Sequence, residues 1–81
     1  MEFNLTAVLS ANLIRIRLNN KYSQAQIASL LSISQPAYNR IECGVNRISI
    51  ESLFSLAKFY GVTIDDFLRQ DFSLSASGVC L

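Results

Sequence analysis

Apolar residues recur along this chain at spacings of three and four, and no stretch alternates with period two over a useful length. That pattern predicts helices throughout and no strands. The first helix spans residues 6–19, with Val8, Leu9, Leu13 and Ile16 on one face and Arg15 and Arg17 away from it. Ile14 and Leu18 form a second apolar pair off the main stripe and are expected to be partly exposed. Both an ordinary surface pair and a self-association patch stay open for them. Asn19, Asn20 and Lys21 end this helix, Asn being tolerant of the left-handed conformation.

Two short helical patterns follow, filling residues 24–43. Ser23 precedes the first and Gln26 stands three residues on, a capping box. Ser34 precedes the second, with Pro36 in the first turn, where a missing N–H costs nothing. Leu31, Ser32 and Ile33 form the break. Ala25, Ala28, Leu31, Ile33, Ala37, Tyr38 and Ile41 supply a shared apolar seam, so the outer face of the second helix is left free. A helix held in that way fits the major groove of DNA. Gly44 is placed to stop it in the left-handed conformation.

Ser49 caps a fourth helix over residues 50–60, expected to turn Ile50, Leu53, Leu56, Ala57 and Tyr60 inward and to end at Gly61. Thr63 caps a fifth, with Asp65 and Asp66 in its first turn and Phe67 and Leu68 facing the core. Beyond it the pattern dissolves. The reading is an all-α domain of five helices over residues 1–69, and a tail over 70–81 that is either frayed or an arm packing on a second subunit.

Composition adds less than the distribution of charge. The chain is 81 residues, 51% hydrophobic and 16% charged, which suits one small compact domain and argues against disorder. Its net charge is only +1. Residues 12–50, however, hold Arg15, Arg17, Lys21, Arg40 and Arg47 against Glu42 alone, the polarity a DNA-docking surface needs. Histidine is absent and Cys43 and Cys80 form no C-x-x-C pattern, so neither a metal site nor a cofactor is expected. With scattered acids and no base near either cysteine, no catalytic residues are assigned and an enzyme is not expected. The cysteines read as free thiols, and nothing indicates export or a membrane span, so a cytoplasmic location is expected.

The run IRLNNKYSQAQIASLLSISQPAYNRIECG resembles the helix-turn-helix of the phage repressor/Cro type, the XRE family. The segment SIESLFSLAKFYGVTIDDFL resembles the two helices that complete that domain. The likeness covers about residues 12 to 68 and implies a five-helix bundle of the lambda-repressor-like DNA-binding type, with residues 24–43 as its motif. It also implies site residues. Gln35, Pro36, Asn39 and Arg40 match the base-reading side of the recognition helix. Gln24, Ser34, Asn46 and Arg47 match positions at the DNA backbone. The chemistry is compatible: Gln and Asn suit the N6/N7 edge of adenine, and Pro36 can touch a thymine methyl. For Arg40, guanine and phosphate are both open, with phosphate favoured by its distance from the helix start. Tyr38 reads as core. Arg17 is either a solvated charge or the partner of Glu42.

Three departures from the family pattern stand out. Ser32 and Lys21 take places where glycine is common, and Cys43 takes the place of an Asn. The function implied is a sequence-specific regulator of transcription, binding double-stranded DNA as a homodimer on a pseudo-palindromic operator. It would act as a repressor or small controller protein, or as an activator touching RNA polymerase. Alternatives are an antitoxin-type regulator that also binds a toxin, and a protein-interaction module that has lost DNA. Exposed apolar candidates (Ile14, Leu18, Leu30, Phe54 and Phe59) favour the module; the polar Gln35, Asn39 and Arg40 argue against it.

Overall fold

A computed structural model describes residues 5–69 as five helices with no strand among them. They are α1 Leu5–Asn19, α2 Gln24–Leu30, α3 Gln35–Glu42, α4 Ile50–Tyr60 and α5 Ile64–Phe67. The tail expected at 70–81 lies outside the described residues, as does Asn4, one of the possible caps of α1.

Local chemistry sets most of the boundaries. The hydroxyls of Ser23, Ser34, Ser49 and Thr63 each accept the backbone N–H three residues on, at 3.0–3.2 Å. Gln26 and Asp66 complete capping boxes by accepting the cap residue's own N–H. Gly44 and Gly61 close α3 and α4 with φ of 78° and 75°. Lys21 and Ser32 adopt the same left-handed region at 63° and 59°, without the glycine that would enter it freely.

The core is a single cluster built on Leu13, Ile16, Ile27, Ala28, Tyr38, Leu53, Leu56, Ala57 and Phe67, with Leu9, Leu31, Ile33, Ile41 and Tyr60 packed around it. Helix α2 packs on α3, α1 touches both α3 and α5, and α4 meets α5. Because α1 is covered on two sides, it buries a wide stripe. Ile14 is therefore 3% exposed, which corrects the expectation of a partly exposed residue and removes it as a self-association candidate. Val8 is only half-buried and stands outside the core cluster. Ala25 is exposed, not part of the seam. Ile50, expected to face inward, is 68% exposed: it opens α4 one turn before the first buried residue, Leu53.

Two polar side chains of α1, the buried Asn12 and the half-buried Ser10, tie it to its neighbours. Asn12 is 1% exposed, and its Nδ2 donates to the carbonyls of Phe67 at 2.6 Å and Arg69 at 3.0 Å. It thereby satisfies the C-terminal end of α5, which has too few residues to satisfy itself. Ser10 Oγ donates to the carbonyl of Ile41 at 3.2 Å, tying α1 to the last turn of α3.

Candidate nucleic-acid interface

Helix α3 is two-faced. Its inner side buries Tyr38 and Glu42, while Gln35, Pro36 and Arg40 are exposed on the outer side and Asn39 is half-buried at the edge. Ser34 is exposed at the N-cap, so the positive end of the helix dipole points outward. Past Gly44 the chain folds back over the C-terminus of α3, with the N–H groups of Val45 and Asn46 donating to the Arg40 carbonyl at 2.9 and 3.2 Å. Asn46 and Arg47 are exposed on this loop, above Leu9, Leu13, Ile41 and Ile48. Gly44 is needed there for its conformation more than for space, since an added Cβ would come no closer than 3.5 Å to Ser10 Oγ.

The orientation of α3 is set by a buried polar chain running across three helices. Arg17 Nε donates to Glu42 Oε2 at 2.7 Å and its NH2 group to Oε1 at 3.1 Å, a two-pronged pair between α1 and α3. The remaining prong, NH1, donates to the carbonyl of Tyr22 at 2.9 Å. Gln24 Nε2 donates to Glu42 Oε1 at 3.0 Å, and Gln24 Oε1 accepts from Asn39 Nδ2 at 3.3 Å. The chain of contacts thus passes from Tyr22 through Arg17, Glu42 and Gln24 to Asn39, linking the scaffold to the edge of the outer face. Burial opposes the charge of Arg17, but the hydrogen bond and charge of Glu42 outweigh it and raise the guanidinium pKa. Of the two readings left open for Arg17, the ion pair is the one present.

Tyr38 lies under this chain, fully buried, with its hydroxyl within electrostatic reach of Glu42 but making no hydrogen bond of good geometry to a described residue. Burial first, and the neighbouring carboxylate second, push its pKa far above the usual phenol range. Tyr60 is raised too, chiefly by burial.

The pairing of Arg17 with Glu42 has a consequence for the surface. It consumes the one carboxylate of residues 12–50 internally, so no carboxylate of that segment offsets Lys21, Arg40 and Arg47. The structure thus brings Ser34, Gln35, Pro36, Asn39 and Arg40 onto one helix, with Asn46 and Arg47 on the adjoining loop. It places Gln24 behind them as a buttress of α3, hydrogen-bonded on both sides. Glu42 and Asn12 were not among the candidate residues, although Glu42 sits at the centre of the network. Cys43 is disulfide-bonded, which corrects the expectation of a free thiol; the same expectation for Cys80 lies outside the described residues. No helix among the described residues is long and apolar enough to cross a membrane.

A family model described as helix-turn-helix matches residues 13–67, from the middle of α1 to the end of α5. The chain belongs to the helix-turn-helix family of the phage repressor/Cro type. Among curated relatives, the HTH-type transcriptional activator BcrR of Enterococcus faecalis is 35% identical over 71 residues, which cover 88% of this chain. The match spans 32% of that relative's length, so the chain corresponds to about a third of it. Among solved structures, the hypothetical transcription factor NHTF from Neisseria superposes with a TM-score of 0.72 at 24% identity, over 82% of this chain and 76% of the other. At that identity the likeness is one of fold. The helix-turn-helix of this chain is α2 and α3, joined through the left-handed Ser32.

Proposed function

We propose that this helix-turn-helix protein is a sequence-specific regulator of transcription that binds double-stranded DNA as a homodimer on a pseudo-palindromic operator. The observation that carries the reading is the division of α3. Its inner face is locked by Tyr38 and the Arg17–Glu42 pair, and its outer face offers Gln35, Pro36 and Arg40 to solvent. A rigidly mounted helix with a polar outer face is what direct readout in the major groove requires.

In this reading α3 enters the groove N-terminus first. Gln35 and Asn39 read base edges, Pro36 contacts a thymine methyl, and Arg40 bonds a guanine or a phosphate. Ser34, Asn46 and Arg47 hold the phosphate backbone on either side, and Gln24 holds α3 while its exposed edge meets a phosphate. Each subunit offers few cations, Lys21, Arg40 and Arg47, so one copy binds weakly. Two copies on half-sites about 34 Å apart double the phosphate contacts.

A titration of the full chain against duplex DNA at several salt concentrations tests this. About six phosphate contacts per dimer give a slope of log K against log[salt] near −5. Absence of salt-dependent binding to any duplex at low ionic strength would overturn the reading. Whether bound protein represses or activates is then read from a reporter promoter carrying the selected operator.

A further inference from the structure

Helix α4 carries a surface that the DNA-facing residues do not use. Ile50 and Phe54, four residues apart, are 68% and 57% exposed and share one stripe of the helix. The stripe continues to Lys58, whose Nζ lies 5.9 Å from the centre of the Phe54 ring. The opposite side of the same helix buries Leu53, Leu56 and Ala57. The ends of the stripe differ in sign: Glu51 is exposed in the first turn and Lys58 in the last. Seven residues separate them, two helical turns or about 10 Å along the axis.

We propose that this stripe is the docking surface for a second copy of the chain, α4 against α4, antiparallel about a two-fold axis close to Phe54. The proposal rests on the homodimer reading and assigns its interface. Charge decides the occupant. Reversing the helix brings the partner's Lys58 opposite Glu51, and the symmetry repeats that pair at the other end, so the surface is complementary to itself. A parallel pairing would set like charges against each other. The Phe54 rings meet near the axis, and each Ile50 covers the methylene stem of the partner's Lys58. The Lys58 ammonium, already drawn along the stripe by the Phe54 ring, is held where that contact needs it.

The test is a charge exchange followed by sedimentation equilibrium of the full chain, alone and with duplex DNA. Glu51 and Lys58 are exposed, so E51K and K58E keep the fold, checked by helical circular dichroism. Each single variant is expected to raise the dimer dissociation constant about tenfold or more, because two like-charge contacts replace two opposite ones. An equimolar mixture of the two variants is expected to recover dimers, since the heterodimer has opposite charges at both ends. The double variant E51K/K58E recovers them as well. Single variants that dimerise like the wild type would overturn the proposal while leaving the homodimer standing. Single variants that dissociate and are not rescued by mixing would overturn the antiparallel pairing. A wild-type chain that stays monomeric with and without DNA would overturn the homodimer itself.

Discussion

Replacing Glu42 by alanine removes the acceptor on which Arg17 and Gln24 converge. In the folded chain the Arg17 side chain is 11% exposed and that of Glu42 2%, with 2.7 Å between Nε and Oε2. Without the carboxylate, Arg17 keeps the Tyr22 carbonyl alone among the described residues and remains a largely desolvated charge. Breaking one side of such a pair costs about 3–5 kcal/mol, most of it the penalty of the orphaned ion and not the strength of the lost contact. A domain of this size has roughly 4–12 kcal/mol of total stability, so the variant should be close to unfolding at 37 °C. At about 4–8 °C per kcal/mol, even the lower loss moves the midpoint down by about 12 °C or more. Urea denaturation followed by helical circular dichroism measures the free-energy loss, and a thermal scan with the same signal measures the midpoint. Adding Arg17→Met to Glu42→Ala should recover much of the loss, because the second change removes the orphaned charge. A loss below about 1 kcal/mol for Glu42→Ala, or additive effects of the two changes, would refute the claim that this pair mounts α3.

Other consequences can be checked alongside. Ser32→Gly relieves a left-handed residue at the motif's turn and should raise stability by up to about 1 kcal/mol by the same denaturation assay. Arg47→Ala should weaken binding to all duplexes alike and reduce the salt slope by about two per dimer, measured by anisotropy across a salt series. Tyr38 and Tyr60 have folded pKa values raised above the ordinary 10.0. Their neutral form is favoured by folding, so this stability is full below pH 10 and falls as pH rises beyond it. Phenolate absorbance should therefore develop together with loss of helix on alkaline titration; ionisation of all three tyrosines without unfolding would contradict the buried placement.

The local parts of the fold were readable in the sequence because their causes are local. Ser23 with Gln26, Ser34 with Pro36, Ser49, and Thr63 each announce a helix start through the hydrogen bond a short side chain makes three residues on. The bounds of α4 follow in the same way, whereas the left-handed turn at Ser32 is marked only by the resemblance, at a place where glycine is common. What was not readable depends on which neighbours cover a residue. Ile14 and Ile50 sit at plausible helical offsets, yet α1 is covered on two sides and buries Ile14, while α4 leaves its first turn bare. Asn12 looks like any polar residue until α5 arrives with unsatisfied carbonyls. Pairing of Arg17 with Glu42, 25 positions away, is one of two readings the sequence leaves open, because no periodicity links the two positions and only their shared burial decides it. The outer face of α3 was identified by resemblance and helical phase together. The buried chain that ends at Asn39 needed coordinates.

In the proposed function the outer face of α3 reads DNA sequence in two symmetric copies. Selection of bound sites from a random duplex pool, with the wild type and Gln35→Ala side by side, tests it most directly. The expected result is an inverted repeat with half-sites about one helical turn apart, and loss of preference at one position of each half-site in the variant. An unpatterned pool from the wild type, or an identical motif from both proteins, would contradict it.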